Sequence, residues 1–319
     1  MTENNTKDQQ HQQSDNNNDD NTSNQIIYQI DAHCHIHDTM LSDNSKTPSI
    51  NNIPLQIQVK TSQLCEMGTT YYDWPTVSAL HSHHPTRFIP AFGIHPWFVQ
   101  RVPGLPENTQ DPISTAEGLD IPDTWESELE AYLQKHPNAI VGEIGLDKKA
   151  VKGTTKLRFP FTSQIHLFNK QLDIATKFNR PVSIHCVKCQ GSLLDILRNT
   201  PPSCLPPKIM LHSYSGSIES LKDFLSIPGG VGRDRIYVSF SKLVNGRNTE
   251  KFAEIIRAIP DNRVLIESDV DSMDDVDECM AFSENLVAVS KEWSIDECRK
   301  KVYENSCRFF GILDGGNEE

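Results

Sequence analysis

Eight short apolar runs, separated by longer amphipathic stretches, constrain the fold of this chain more than any other feature. The predicted strands lie at 25–33, 62–69, 88–94, 139–145, 181–186, 208–213, 236–241 and 263–268. Helical apolar spacing is found at 73–84, 123–135, 160–178, 191–198, 217–225, 248–258, 276–291 and 294–310. Regular alternation of strands and helices is typical of α/β domains with a parallel sheet. We therefore predict a (β/α)8 TIM barrel, with a doubly wound open sheet as the alternative.

The residues within each strand show which face would point inwards. In the first run Asp31, His33 and His35 share one face, since strand side chains alternate. The other face consists of Ile26, Tyr28, Ile30, Ala32, Cys34 and Ile36. In the runs at 181–186 and 263–268 one face is likewise apolar, and the opposite face ends in a polar residue. A barrel with its site at the carboxyl-terminal rim of the lumen produces this pattern.

Metal-competent side chains recur at these predicted strand ends. After His33 and His35 come Glu143, His185, His212 and Asp269. Imidazole and carboxylate groups together suit divalent transition metals. Six such groups exceed the needs of one ion, so we predict two divalent ions that share a carboxylate. The four histidines favour Zn, Mn or Fe over Mg, which prefers oxygen ligands.

Neighbouring polar residues receive other roles. We expect Asp31 to lie deeper on the lumen face and to orient or pack rather than ligate. His37 is expected at the rim, outside the ligand set. His95 follows the third strand, and the residues leave open whether it binds a substrate phosphate or packs in a proline turn.

Six motifs in chain order resemble the TatD family of metal-dependent deoxyribonucleases, a branch of the amidohydrolase-like barrels. They are DAHCHIH (31–37), FGIHPW (92–97), VGEIGLD (141–147), RPVSIHC (180–186), LHSYSG (211–216) and LIESD (265–269). The resemblance covers about residues 27–310 and implies an amidohydrolase-like TIM barrel, with divalent Zn, Mn or Mg as the ion.

The resemblance also implies a ligand arrangement. His33, His35, Glu143 and Asp269 would surround one ion, and Glu143, His185 and His212 would hold the second. Asp269 is the candidate catalytic base and Glu143 the bridging carboxylate.

The chain departs from the family pattern on the substrate side. Many members carry an arginine two places after the histidine of the fifth strand, where this chain has Val187 followed by Lys188. A small residue and a proline usually follow the last aspartate, where this chain has Val270 and Asp271. These differences resemble a divergent eukaryotic, fungal-like subgroup.

A basic segment follows the fourth strand. Residues 148–158 contain five basic residues and no acid, although the chain carries a net charge of −13. A local cationic patch on the catalytic face would attract phosphate oxygens, whereas the alternative is a solvated loop. With His95, the candidate substrate contacts are Lys148, Lys149 and Lys188. The net negative charge of the protein argues against binding of duplex DNA by broad electrostatic attraction. We therefore predict DNA ends or single strands as substrate.

The first 24 residues differ in composition from the rest. They contain no Val, Ile, Leu, Phe, Tyr, Trp or Cys, which is typical of a disordered segment. We predict a tail over 1–24, which is a candidate binding segment for a protein partner, and a single barrel domain over 25–319. Neither a signal peptide nor a membrane-spanning run is recognisable, so we expect a soluble cytoplasmic or nuclear protein without a membrane partner.

These observations predict a metal-dependent phosphodiesterase of deoxyribonuclease type. Two alternatives stay open at this point. The same centre could hydrolyse a small amide, ester or phosphoester, or a barrel of low activity could serve as a scaffold or adaptor.

Overall fold

The computed structural model describes residues 29–38, 61–101, 121–152, 157–158 and 161–312. Within these residues a parallel sheet contains all eight predicted strands, paired in the order of the chain. They are β1 Ile30–Cys34, β2 Gln63–Met67, β3 Phe88–Phe92, β4 Ile140–Asp147, β5 Val182–Val187, β6 Ile209–Leu211, β7 Ile236–Phe240 and β8 Val264–Ile266.

Backbone hydrogen bonds beyond the ends of β1 and β8 bring the two edges of the sheet together. The His35 N–H donates to the Val270 carbonyl at 2.8 Å, and the Asp269 N–H donates to the His33 carbonyl at 3.0 Å. The sheet is therefore a nearly closed barrel. The predicted TIM barrel is confirmed, and the open doubly wound alternative is wrong.

Within the described residues, eight helices of at least eight residues surround this barrel, close to their predicted positions. They are α1 Trp74–His83, α2 Trp125–Lys135, α3 Phe161–Lys177, α4 Gln190–Asn199, α5 Ile218–Leu225, α6 Thr249–Ala258, α7 Met273–Lys291 and α8 Ile295–Phe310. Each presents an apolar face to the sheet, as in α3, where Phe168, Leu172 and Ala175 are buried. Two short helical segments, Pro96–Arg101 and Lys242–Asn245, lie after β3 and β7.

The apolar core has two layers. The larger one lies between sheet and helices and includes Val141, Ile184 and Val264. The smaller one fills the floor of the lumen, where one or two residues from seven of the eight strands cluster with the end of α8. Its members include Ile30, Ala32, Cys65, Met67, Met210, Leu265, Phe309 and Phe310. Because the floor is apolar, the histidines and carboxylates of the lumen lie at the carboxyl-terminal end of the barrel.

Two strands contain a register shift that changes which side chains face inwards. In β1 the shift lies between Asp31 and Cys34, and Asp31 pairs with Leu64, which belongs to the helix-side core. Ile30 and Ala32 instead pack in the lumen floor. The predicted faces of these three residues were therefore wrong, because an extra residue in a strand reverses the alternation beyond it.

The second register shift lies in β4, between Val141 and Ile144. Both of these residues belong to the helix-side core, so the two residues between them face the lumen together. This shift is what turns Glu143 inwards. The strand also continues to Asp147, so Glu143 lies mid-strand and not at the predicted strand end.

Several predictions concern residues outside the ranges that the structure describes. The tail 1–24 is among them, so its border with the barrel domain stays a prediction. Lys156 and the side chains of Lys152 and Arg158 also lie outside, although the backbone of a short hairpin, Val151–Lys152 with Leu157–Arg158, follows β4. No helix in the described ranges is both long and apolar enough to cross a membrane.

Candidate active site

Glu143 lies at the centre of a histidine cluster at the carboxyl-terminal end of the barrel. Its Oε2 lies 3.4 Å from Nε2 of His33 and 3.4 Å from Nε2 of His35. Its Oε1 lies 2.9 Å from His185 Nδ1 and 3.0 Å from His212 Nε2. The two oxygens of one carboxylate thus face two separate sets of ring nitrogens.

Asp269 completes the first set. Its Oδ1 lies 3.9 Å from Nε2 of both His33 and His35, and its Oδ2 accepts a hydrogen bond from the Ser213 hydroxyl at 3.1 Å. One ligand atom from each of His33, His35 and Asp269 lies within 4.8 Å of the others. All six predicted metal ligands therefore meet in one cluster, from strands far apart in sequence.

The outward ring nitrogen of each clustered histidine has its own polar partner. Three of the pairs are hydrogen bonds, namely His33 Nδ1 with Ser183 Oγ at 3.0 Å, His35 Nδ1 with the Met67 carbonyl at 3.1 Å, and His185 Nε2 with Asp147 Oδ2 at 3.4 Å. His212 Nδ1 lies 3.4 Å from Glu267 Oε1, an ion-pair distance without hydrogen-bond geometry. Such partners fix the tautomer and leave the inward nitrogen as a lone-pair donor, as in protein metal sites. The donor set fits divalent metal ions.

The electrostatics of the cluster agree with this fit. Burial by itself would raise the pKa of the Glu143 carboxyl, but His95, His212 and His33 hold that pKa well below its usual range. Burial opposes a charge on His185, yet its bonds to Asp147 and Glu143 raise the pKa of its ring to about 9. The carboxylates therefore demand positive charge at this place, which divalent ions would provide.

His95 lies in the same cluster, but its inward nitrogen is the one that carries the proton. The backbone N–H of Trp97 donates to His95 Nδ1 at 3.2 Å, so the proton of the neutral ring is on Nε2. That nitrogen points at Glu143 Oε1 over 3.3 Å. Burial lowers the pKa of His95 to about 4, which keeps the ring neutral. His95 is thus placed as a hydrogen-bond donor in the site, which favours a substrate contact over simple packing.

Comparison with known proteins agrees with this site. The family model described as TatD related DNase matches residues 30–311, nearly the whole described part of the chain. The chain belongs to the TatD family. It is 29% identical to the Cut9-interacting protein scn1 of Schizosaccharomyces pombe, over 89% of this chain and 98% of that protein. It is 28% identical to an uncharacterized deoxyribonuclease of Saccharomyces cerevisiae, over 88% of this chain and 98% of that one.

A solved structure shows the same fold. The TatD homolog YJJV from Escherichia coli superimposes with a TM-score of 0.67 at 20% identity, covering 90% of this chain and 100% of that one. The fold, the family and the donor set agree, so the protein is a TatD-type metal-dependent hydrolase.

The TatD centre opens into a cleft of about 600 Å³. Trp97, with 50% of its surface exposed, and Leu243, with 57% exposed, form apolar flanks of the mouth. The Trp97 indole N–H donates to Asp147 Oδ2 at 2.7 Å, which fixes the ring beside the centre. Further out, Asp38 and Asp271 contribute acidic groups.

The three predicted lysine contacts lie near this cleft without lining it. Lys148 Nζ lies 4.7 Å from the centroid of the Phe161 ring, beside α3. Lys149 is exposed, and its backbone N–H donates to Asp147 Oδ1 at 2.6 Å. Lys188 is exposed just after β5. Among the described residues that line the cleft there is no lysine or arginine.

Glu267 is a residue of this TatD site whose role the sequence did not predict. It is fully buried, and its Oε1 accepts the Ser213 N–H at 2.7 Å. The same oxygen lies 2.7 Å from the Ser213 hydroxyl, whose single proton it shares with Asp269 Oδ2 at 3.1 Å. Its position on the face of β8 shared with Asp269 was the available signal. His212 then depends on Glu267 for its orientation.

We expect Glu267→Gln to weaken metal affinity by about 10- to 100-fold, because the histidine loses its charged partner. Titration of the metal-free protein with Zn²⁺ or Mn²⁺ measures this. Glu278→Gln, a change at an exposed glutamate of α7, is the control. Equal affinity in the two variants would contradict an orienting role for Glu267.

Proposed function

We propose that this protein is a metal-dependent deoxyribonuclease that hydrolyses phosphodiester bonds with two divalent ions bridged by Glu143. One observation carries the proposal, namely the division of the two Glu143 oxygens between two sets of histidine nitrogens. His33, His35 and Asp269 would complete one ion site, and His185 and His212 the other. The nitrogen-rich donor set favours Zn or Mn, while Mg prefers oxygen ligands.

Bound divalent ions would lower the pKa of water and polarise a phosphoryl oxygen. The protein's own groups would supply the remaining chemistry. The Asp269 carboxylate, held through Oδ2 by the Ser213 hydroxyl, is the candidate base that accepts the proton of the attacking water. The His95 Nε2–H is the candidate donor to a phosphoryl oxygen.

The cleft supports DNA ends or single strands as substrate. Its mouth is flanked by Trp97 and Leu243, whose apolar surfaces suit an unpaired base. Its acidic outer residues and the net charge of −13 disfavour extended contact with a duplex. The yeast relative named as a deoxyribonuclease and the family's own description support DNA over a small ester.

Cleavage assays on end-labelled oligonucleotides test the function. Metal-stripped protein receives Mn²⁺, Zn²⁺ or Mg²⁺ and is offered single-stranded DNA, duplexes with recessed ends and circular DNA. We expect metal-dependent cleavage of the first two, reversed by a chelator. Protein that binds stoichiometric metal but leaves every DNA intact would refute the nuclease proposal, and hydrolysis of small esters alone would favour the alternative.

The predicted lysine contacts have a separate test. Changing Lys148, Lys149 and Lys188 together to glutamine should weaken binding of a long single strand and reduce its salt dependence. Each lost phosphate contact reduces the magnitude of the negative slope of log K against log salt by about 0.7. A protein with Lys222→Gln and Lys300→Gln, two exposed lysines away from the cleft, is the control. An unchanged slope in the triple variant would exclude these lysines as phosphate contacts.

Two predictions accompany this proposal. A cytoplasmic or nuclear location and a protein partner for the tail 1–24 are drawn from the sequence, and the tail lies outside the described residues. Binding assays with the full chain and with a chain that begins at residue 25 would test the partner.

A further inference from the structure

A second cluster of potential ligands lies beside the catalytic centre. His37, Asp38 and Asp73 each offer one ligand atom within 4.8 Å of the others. The ring of His37 lies 6.4 Å from the ring of His35, centroid to centroid. The two clusters are therefore neighbours, but they share no residue.

His37 is held in the way that the histidines of the catalytic centre are held. It is fully buried, and its Nδ1 lies 2.5 Å from Oε1 of Glu66, which is also fully buried. The same oxygen accepts the backbone N–H of His37 at 2.9 Å. This carboxylate partner directs Nε2 away from Glu66 and into the cluster, as in carboxylate–histidine–metal arrangements.

The inward nitrogen of His37 makes no hydrogen bond to any described residue. It lies 3.3 Å from Asp38 Oδ1 and 3.6 Å from Asp73 Oδ2. A fully buried ring nitrogen that is aimed between two carboxylates without a hydrogen bond matches the geometry of a ligand to a cation.

Asp73 is rigidly placed. Its Oδ2 accepts the N–H of Thr69 at 3.0 Å, the hydroxyl of Thr69 at 2.9 Å and the N–H of Thr70 at 2.8 Å. Asp38 is different, because 47% of its side chain is exposed and it lines the catalytic cleft. One carboxylate is thus fixed, and the other connects the cluster to solvent and substrate.

The charges of the cluster also favour a cation. Two buried carboxylates, those of Glu66 and Asp73, share one imidazole, and the half-exposed Asp38 adds a third. Buried charge is costly unless it is paired or coordinates a metal, so a divalent cation would stabilise this arrangement.

We propose that His37, Asp38 and Asp73 form a third divalent-cation site, open to the catalytic cleft through Asp38. One nitrogen and two carboxylate ligands suit Mn²⁺ or Zn²⁺. The role of this site in substrate binding rests on the proposed nuclease function. Since the described lining of the cleft offers no lysine or arginine, a cation here would give a substrate phosphate a positive partner.

Equilibrium dialysis of the full chain against Mn²⁺, with metal counted per chain by mass spectrometry, tests the site. We expect three ions per chain in the wild type. In Asp38→Asn the affinity of one site should fall at least about 10-fold while the other two are unchanged. Asp275→Asn, which alters another acid of the same cleft, is the matched control and should keep three ions. Asp38 is suited to this test because its side chain is half exposed.

Two ions per chain in the wild type, or three with unchanged affinity in both Asp38→Asn and His37→Gln, would show that His37 is a buried imidazolium paired with its acids. DNA cleavage by a protein with only two ions would refute the third site and leave the nuclease function standing. Three ions without any cleavage would refute the function and leave the site.

Discussion

Glu143→Gln is expected to lower kcat/KM for DNA by a factor on the order of 1,000 or more. The substitution keeps the size of the side chain but removes the charge that both histidine sets face. Metal ions supply several kcal/mol of transition-state stabilisation in such sites, and each 1.36 kcal/mol corresponds to a factor of ten in rate. Loss of the shared carboxylate would weaken both proposed ion sites together.

Metal content and cleavage rate must be measured on the same preparation of this variant. The expected result is loss of at least one ion per chain together with loss of activity, at an unchanged far-UV circular dichroism spectrum. Glu278→Gln, on the exposed face of α7, controls for a general effect of removing a glutamate charge. Full activity in Glu143→Gln would contradict the bridging role.

Asp269→Asn is expected to have the second-largest effect, a fall in kcat of about 10²- to 10⁴-fold, the usual range for a lost general base. An amide cannot accept the proton of the attacking water, although it can still accept the hydrogen bond from the Ser213 hydroxyl. The backbone bond from Asp269 to His33 stays intact, so the barrel should remain closed.

The KM of this variant distinguishes its role in proton transfer from a role in binding. Because Asp269 is also a proposed metal ligand, KM for DNA is measured at saturating metal, so that loss of its charge does not empty the ion site. Under that condition we expect KM to stay within a few-fold of wild type, since a group that acts in proton transfer changes kcat and kcat/KM alike. Asp271→Asn, two residues further along the cleft, is the control and should keep kcat. A rise in KM with unchanged kcat would assign Asp269 to substrate binding.

The eight strands and the helices around them could be predicted from the sequence because each has a local cause. Short apolar runs such as 181–186 bury a strand, and Phe168, Leu172 and Ala175 recur at helical spacing in α3. The candidate ligand positions followed from the predicted strand ends together with the family resemblance. Local order in the sequence was sufficient for these features.

The predictions about which faces point inwards were less successful, because register is a property of two strands and not of one. Nothing in IDAHC or IVGEIGLD shows the extra residue that turns Asp31 to the helix side of the sheet and Glu143 into the lumen. The contacts of His37 and Glu267 could not be predicted from the sequence for a related reason. Their partners, Glu66 and His212, lie 29 and 55 residues away in sequence, and only the closed barrel brings them into contact.

The closure between β1 and β8 also bears on the order in which the two proposed ion sites would assemble during synthesis. His185 and His212 lie on neighbouring strands with Glu143 close by, so their half of the centre needs only the middle of the barrel. His33 and His35 must wait for Asp269, and the floor beneath them is sealed by Phe309 and Phe310 at the end of α8. Contacts of such long sequence separation form late, since loop closure must precede them. The nascent chain would therefore complete the proposed site of His33, His35 and Asp269 only when nearly all of it has left the ribosome, so an unfinished chain would lack this half of the proposed metal centre.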